Sequence, residues 1–527
     1  MTVKQVFILI SIVSTLLILL ISQYWPPMYW VFVIVLPLIF LGIYDIVQKK
    51  HTLLRLYPVI GHGRFILESV RTEIQQYFIE TDINGTPISR EFRSLVYQRA
   101  KGNNDTRPFG TPFDVYRSGY EWVNHSLNPK VVTNHHPRVI FGGPHCKQPY
   151  AASPLNISAM SFGALSKNAI SALNKAAKQG TFFHNTGEGG ISPYHLVGGA
   201  DLVWQIGTGY FGCRNEYGLF DADKFTERAT YDVVKMVEIK LSQGAKPGHG
   251  GILPAAKLTQ EIADIRHVPM GQDVISPSVH SAFDSPIGLI EFVEKLRELS
   301  GMKPVGFKLC IGSPVEFLSI VKAMLETGIT PDFITVDGGE GGTGAAPIEL
   351  TNSVGMPLRD GLIFVNNALI GAGLREHIKI IASGKALSAF HMLRLMALGA
   401  DTINSARAMM FALGCVQSRS CNTDRCPTGV ATQNPARFKA LDIEDKSKRV
   451  ANYHAAMIRN LVELIAVAGI ESLEQLEPRH INRRVSGTVV KTYNELYPCI
   501  TCNCLLTESD IPSIWQSGWK QATATAW

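Results

Sequence analysis

Pro304-Val305-Gly306-Phe307-Lys308-Leu309, then Pro314–Thr327, then Phe333-Ile334-Thr335-Val336 running into Asp337-Gly338-Gly339-Glu340-Gly341-Gly342-Thr343-Gly344, is the stretch that decides the fold. Two short, almost continuously apolar runs flank a segment whose apolar residues recur at helical spacing. A strand that is apolar along its whole length is buried on both faces, the pattern of a parallel sheet. Parallel neighbours need a crossover, and 314–327 supplies one. The unit returns downstream as a strand over His377–Ala382, a helix over Ala386–Leu398 and a strand over Asp401–Asn404. Upstream, from about residue 153, short apolar runs alternate with amphipathic stretches, and glycines cluster where the runs end. Spread over about 280 residues, this predicts an α/β fold, a (β/α)8 TIM barrel, with a doubly wound sheet as second reading.

Working outward, 527 residues accommodate one such barrel with extensions on both sides. A charged fraction of 18% and a hydrophobic fraction of 46% exclude a disordered chain. The net charge of +6 is small for the length, and no dense basic block supports nucleic-acid binding. Apolar residues are concentrated at the start. No charge occurs from Gln5 to Tyr44, and Gln23-Tyr24-Trp25-Pro26-Pro27 divides that run into Val6–Ser22 and Met28–Val47. Each part approaches the roughly 20 residues that cross a bilayer as a helix. Tyr24, Trp25, Tyr29 and Trp30 suit an aromatic belt, and Pro37 is a kink that membrane helices tolerate. Lys4 precedes the pair, and Lys49, Lys50, Arg55 and Arg64 follow it as a topology and lipid-headgroup signal. The expectation is a transmembrane helical hairpin over 1–48 with both ends and the body in the cytoplasm, at an inner (cytoplasmic) membrane. After it come a lead-in region over 49–150 packing on the barrel, the barrel with a cysteine loop over 151–440, and a helical, cysteine-containing C-terminal extension over 441–527. A helix is expected over Gly63–Phe78, a turn at Asp82-Ile83-Asn84-Gly85, and a long amphipathic helix over Lys446–Gly469.

Four glycine-rich segments end strands: Asn185–Gly190, Gln243–Gly251, Asp337–Gly344 and Ala382–Lys385. Together they favour a large flat or phosphorylated ligand at the barrel mouth, because glycine lets backbone approach a ligand closely. Ala382-Ser383-Gly384 and Ser405-Ala406-Arg407 fall where the last two barrel loops bind phosphate in many such folds. Their amides, with the next helix N-terminus, suit a dianion. Six of the nine cysteines fall in two clusters, which in a reducing compartment read as thiols or metal ligands. Cys415, Cys421 and Cys426 lie in a polar loop with Pro427 directly after. Their spacing is neither that of a zinc ribbon nor of a common ferredoxin, and leaves an iron–sulfur cluster, zinc and unligated thiols open. Cys499, Cys502 and Cys504 form the second cluster, with a metal or redox role or free thiols as its readings.

Ile157–Gly163, Asn185–Gly190, Gln243–Gly251, Asp337–Pro347 and Cys415–Gln433, in this order, resemble the FMN-binding synthase domain of glutamate synthase over roughly residues 150–440. The layout is similar to short, single-domain proteins of that FMN-binding family. The resemblance implies FMN across Ala159, Met160, Ser161, Gln243, Lys308, Gly338, Gly339, Gly384, Ala406 and Arg407, with Lys308 near the ring carbonyl where reduction builds negative charge. It also implies a [3Fe-4S] cluster on Cys415, Cys421 and Cys426. By the same resemblance Glu188, Lys246 and Arg266 are expected to be the catalytic positions, facing a 2-imino acid formed from 2-oxoglutarate and ammonia. Arg266 and Lys246 suit a dicarboxylate, and Glu188 a proton relay.

The family pattern is broken at two places. Many glutamate synthases carry Glu where His249 stands and Gln where Ile252 stands, and Ile252 cannot donate a hydrogen bond to a substrate. The alternative is a membrane-linked FMN/Fe-S dehydrogenase acting on another amino or oxo acid with a quinone or ferredoxin partner. No glutaminase and no pyridine-nucleotide domain is evident, so ammonia is expected from solution or a partner, and electrons from a donor protein or a membrane carrier.

Overall fold

The computed structural model describes residues 1–527, which divide into two compact units, Met1–Arg90 and Glu91–Trp527. In the first unit, helix α1 (Val3–Ser22) begins with a capping box: Thr2 accepts from the Gln5 amide, and Gln5 reaches back to the Thr2 amide. A 3-10 turn over Pro26–Val31 leads into α2 (Phe32–Val47), with Pro37 inside it. A Cβ added at Gly42 would fall on the Phe7 ring, so that glycine is what lets α1 and α2 approach. Both helices are long and apolar enough to cross a membrane, and most of their side chains are exposed, including Leu16, Leu20, Val33, Ile34 and Phe40. The helix expected over Gly63–Phe78 is interrupted. It runs over His62–Ser69 (α3), leaves helical geometry at Val70 (φ −106°, ψ 10°), and resumes over Arg71–Ile74 and a π-helical turn over Gln75–Ile79. Asp82–Asn84 form the expected turn, with Asn84 accepting from the Thr81 amide.

The second unit is built around a closed eight-stranded parallel barrel. Its strands are β1 (Leu155–Ile157), β2 (His184–Asn185), β3 (Leu202–Ile206), β4 (Val234–Lys240), β5 (Val305–Leu309), β6 (Phe333–Asp337), β7 (Lys379–Ser383) and β8 (Thr402–Ser405). Closure runs through Ser405 opposite Ile157, so β8 meets β1 and no edge is left unpaired. The crossover over Pro314–Thr327 forms as expected; we label it α4. Two boundaries shift. The seventh strand begins at Lys379 because its register starts opposite Phe333, and the helix after it (α5, Ala389–Ala397) begins after Ser388, whose hydroxyl accepts from the His391 amide. A seven-residue helix, α6 (Arg407–Leu413), follows β8, and α7 (Ile443–Val467) is the long helix after the barrel, started by Asp442 accepting from the Asp445 amide.

Ion pairing at the N-terminal end of the barrel is structural. Arg297 is fully buried; it pairs with Glu294, its Nε is 3.1 Å from Asp332, and its Nη2 donates to the Thr330 carbonyl at 2.6 Å. Asp332 also accepts from the Gly143 amide (2.6 Å) and the Val305 amide (2.8 Å), so both oxygens of a buried carboxylate are hydrogen-bonded. Inside the barrel, Glu238 of β4 accepts from Asn185 (2.9 Å), Gln205 (2.5 Å) and Thr335 (2.7 Å), tying β2, β3 and β6 into one polar layer. The second cysteine cluster is divided. Cys504 packs with Leu505, Ile511, Trp515 and Trp519, whereas Cys499 and Cys502 are exposed.

Candidate active site at the barrel mouth

All the glycine-rich segments follow the C-terminal ends of barrel strands, the end where such barrels do chemistry. The loops after β4 and β6 touch backbone to backbone: a Cβ at Gly244 would lie 1.7 Å from the Gly338 carbonyl oxygen. Gly187, at φ +66°, packs likewise against the Ser161 amide, 2.7 Å from where its Cβ would be. No side chain fits at either point, which leaves the mouth lined by bare backbone.

Ala159 and Ser161 are half-buried and Met160 is buried in the loop after β1; Gln243 is half-buried after β4. Gly338 and Gly339 are buried after β6; the Gly338 amide donates to the Ser383 carbonyl (3.2 Å) and the Gly339 amide to the Met356 carbonyl (2.8 Å). Gly384, Ala406 and Arg407 are half-buried after β7 and β8. Lys308 reaches the interior from β5, its ammonium 3.3 Å from Asp337. Burial alone would lower its pKa, but Asp337 and Glu238 outweigh that and raise it, so the ammonium stays charged. Burial lowers Arg407, and burial followed by Arg407 lowers Lys385. Two cations thus crowd the loops after β7 and β8, an electrostatic fit to a phosphate dianion. Bare backbone, a central ammonium and this basic pair together fit FMN.

The catalytic candidates converge. Lys240 Nζ lies 2.6 Å from Glu188 Oε1, and Gly207 and Gly251 enclose that carboxylate so closely that a Cβ at either would come within 3 Å of it. Burial raises the pKa of Glu188, but Lys240, Arg266 and Lys246 outweigh it and lower it overall. Glu188 is therefore an anion and an acceptor of protons at neutral pH. Lys246 is 1% exposed, and burial pushes its pKa down to about 8 against the pull of Glu188. Arg266 is buried, lies over the Phe211 ring at 5.2 Å, and donates through Nη2 to the Phe162 carbonyl at 3.1 Å. Its Nε is buried with no hydrogen-bond partner. A buried, unsatisfied guanidinium N–H costs free energy unless a ligand completes it.

Of the cysteine loop, Cys415 and Cys421 are half-buried and Cys426 is buried. Burial pushes the Cys415 thiol up to about 12 and raises Cys421. Burial also raises Cys426, but contacts from Ala431, Thr428 and Val430 outweigh it and lower it overall. The sulfurs do not converge on a point where one metal ion would sit. Ligands of a polynuclear cluster stand further apart, since each binds a different iron, and amides donating to sulfur are the usual setting of such clusters. The donor set fits one.

Lys240, Glu238 and Asp337 escaped the sequence reading. A signal existed: Glu238 and Lys240 are two residues apart in β4, hence on one face and opposite to Lys235, and two charges on an interior face mark a functional layer.

A family profile described as a conserved region in glutamate synthase matches residues 126–471. The glutamate synthase large subunit-like protein YerD of Bacillus subtilis is 37% identical over 514 residues, covering 89% of this chain and 97% of that protein. The chain belongs to the glutamate synthase family. Membership makes it an oxidoreductase acting on CH–NH2 groups. The archaeal glutamate synthase [NADPH] of Methanocaldococcus jannaschii is 38% identical over 62% of this chain, which spans 60% of that glutamate synthase. The glutamate synthase [NADPH] large chain of Bacillus subtilis is 33% identical over 60% of this chain and 20% of its own length. Among solved structures, mandelate oxidase with benzoyl-formic acid aligns at 16% identity with a TM-score of 0.41, covering 80% of this chain and 98% of its own. That likeness is too loose to bear on the chemistry.

Proposed function

We propose that this glutamate synthase relative uses FMN and a [3Fe-4S] cluster to reduce a 2-imino acid, making glutamate from 2-oxoglutarate and ammonia. The observation that carries the reading is the unsatisfied Nε of Arg266 beside Lys246 and the Glu188–Lys240 pair. One substrate carboxylate pairs with Arg266, a second with Lys246, and Glu188 relays a proton from the ammonia nitrogen to the carbinolamine hydroxyl, which leaves as water when ammonia condenses with the keto group. Ala159, Met160, Ser161, Gln243, Lys308, Gly338 and Gly339 hold the flavin ring and Gly384, Ala406 and Arg407 its phosphate, while Cys415, Cys421 and Cys426 hold the cluster. When bound, FMN supplies hydride chemistry and the cluster one-electron chemistry. Lys308 offers a fixed charge toward the ring, and the glycine-lined loops exclude water.

The test is full-length protein in detergent, supplied with 2-oxoglutarate, ammonia and an artificial reductant. Glutamate formation is expected, and flavin- and iron-loaded protein that makes none overturns the substrate. One observation favours a second reading in that case. Ile252 is half-buried in the short hairpin beside Gly251 and Glu188, an apolar group where a dicarboxylate needs a donor. A substrate screen with a quinone analogue tests a dehydrogenase of another amino or oxo acid.

We further infer that α1 and α2 form a membrane hairpin, with the electron donor a protein or a carrier found there. Support comes from their exposed apolar surface and from Lys49 and Lys50 directly after it. Quenching of fluorescence from Trp25 and Trp30 by brominated lipids is the expected result in proteoliposomes; its absence overturns the placement.

A further inference from the structure

Lys257 is 3% exposed in a 3-10 turn over Ala255–Lys257, between the loop after β4 and the helix that carries Arg266. Its ammonium donates to the Ala164 carbonyl at 2.6 Å and to the Cys421 carbonyl at 3.4 Å. One amine thus ties together the loop after β1, the loop after β4 and the cysteine loop. It has no carboxylate in ion-pair range, unlike the mouth lysines Lys240 and Lys308. The charged groups facing it are Asp424, Cys421 and Cys426 from the cysteine loop and Arg266 from the adjoining helix. Asp424 is the strongest attraction among them, but it stands outside ion-pair range and accepts from the Gln433 amide at 2.6 Å. Two carbonyl dipoles, with one carboxylate beyond ion-pair range, leave a buried ammonium only partly compensated, which costs free energy. The other acidic groups that face it are Cys421 and Cys426 of the cysteine loop.

We propose that Lys257 is the fixed counter-charge of the anionic cluster held by Cys415, Cys421 and Cys426, a positioning residue that sets how tightly the cluster holds its electron. This rests on the reading of those cysteines as cluster ligands. Reduction of a cluster adds one negative charge, which a neighbouring cation stabilises and so raises the reduction potential. No bond to Lys257 forms or breaks; the electron comes from the titrant. Lys303 supplies a control. It too is buried and donates only to carbonyls, Ala229 at 2.7 Å and Tyr231 at 3.0 Å, but it stands just before β5, at the opposite end of the barrel.

The experiment uses the full chain, purified without oxygen in detergent. Iron and sulfide analysis of the unsubstituted protein comes first, and an iron-free, folded protein removes the cluster reading itself. With iron present, an EPR-monitored titration with dithionite compares K257Q, K257M, K257R and K303M. The two neutral variants at Lys257 are expected to hold the reducing electron about tenfold less tightly, ~59 mV for one electron. K257R and K303M are expected to match the unsubstituted protein. Neutral variants that fold but lose iron, beside K257R that keeps it, also support the proposal. A neutral variant with full iron at the original potential overturns it. So does an equal shift in K303M, or failure of both neutral variants to fold with or without iron, which makes the lysine a strut.

Discussion

A buried amine whose pKa sits near 8 is a proton donor that switches within the working range of an enzyme. Lys246 is in that position because burial disfavours its charge, while Glu188, itself held anionic by Lys240, keeps the shift modest. If the protonated amine binds the second substrate carboxylate, kcat/KM is flat below pH 8 and falls tenfold per pH unit above it. Lys246→Arg, with a charge that does not titrate in this range, should extend the plateau upward, while Lys246→Met should lose about 100-fold or more in kcat/KM. A pH profile of the three proteins checks this. Gly244 carries a different constraint, one of space. In Gly244→Ala the new Cβ has the Gly338 carbonyl 1.7 Å away, backbone that cannot turn aside. The loops after β4 and β6 must then part, and since Gln243 and Gly338 both stand in the proposed flavin site, the purified variant should be nearly free of flavin with its helical circular dichroism intact.

At the scale of elements, chemistry and stability are assigned to opposite ends of the strands. Asp332 and Arg297 hold the N-terminal end through hydrogen bonds that reach β5, the Arg297 helix and Gly143. Removing one member of a buried, fully bonded pair leaves the other charge bare, at a cost of about 3–5 kcal/mol. Asp332→Ala should show that loss in urea unfolding, with unchanged flavin per folded molecule. What the sequence made legible follows the same division. β5 and β6 were readable as short, nearly continuous apolar runs, and the crossover between them by its helical period. β1 and β2 were not, because three and two residues make no recognisable run. Site loops were legible through clustered glycines and cysteines. The Glu238–Lys240 layer was not, because β4 carries charges on both faces, Lys235 on one and Glu238 and Lys240 on the other, and only the closed barrel shows which face is inside. Boundaries slipped where a cap or a register decides them, as Ser388 does for α5 and Phe333 opposite Lys379 does for β7.

The whole molecule stores a dependence on acid. His184, His195, His280 and His454 are buried and His391 is half-buried, and burial is the first cause that lowers each of them. His195 and His454 are lowered to about 3 and His280 to about 4. Neither ring nitrogen of His184 has a partner, so a proton there would meet no acceptor. In the unfolded chain each titrates near 6.5. The native state therefore binds fewer protons than the unfolded one between about pH 6.5 and 4, and stability rises with pH across that window. Their contribution is complete above 6.5 and is lost as the pH falls toward the native values. Each histidine accounts for about 1.4 kcal/mol per pH unit, so five titrating together give about 7 kcal/mol per unit. Few domains have more than about 15 kcal/mol in hand, so the barrel should unfold cooperatively within about two units below 6.5. Melting temperature against pH checks this, with a steep fall beginning near pH 6 in detergent-solubilised protein. His454→Gln should flatten the slope by about one fifth, since its imidazole bonds only to Ser153 and the Leu155 carbonyl, which an amide also satisfies. An unchanged slope in that variant would assign the acid transition to groups other than the buried histidines.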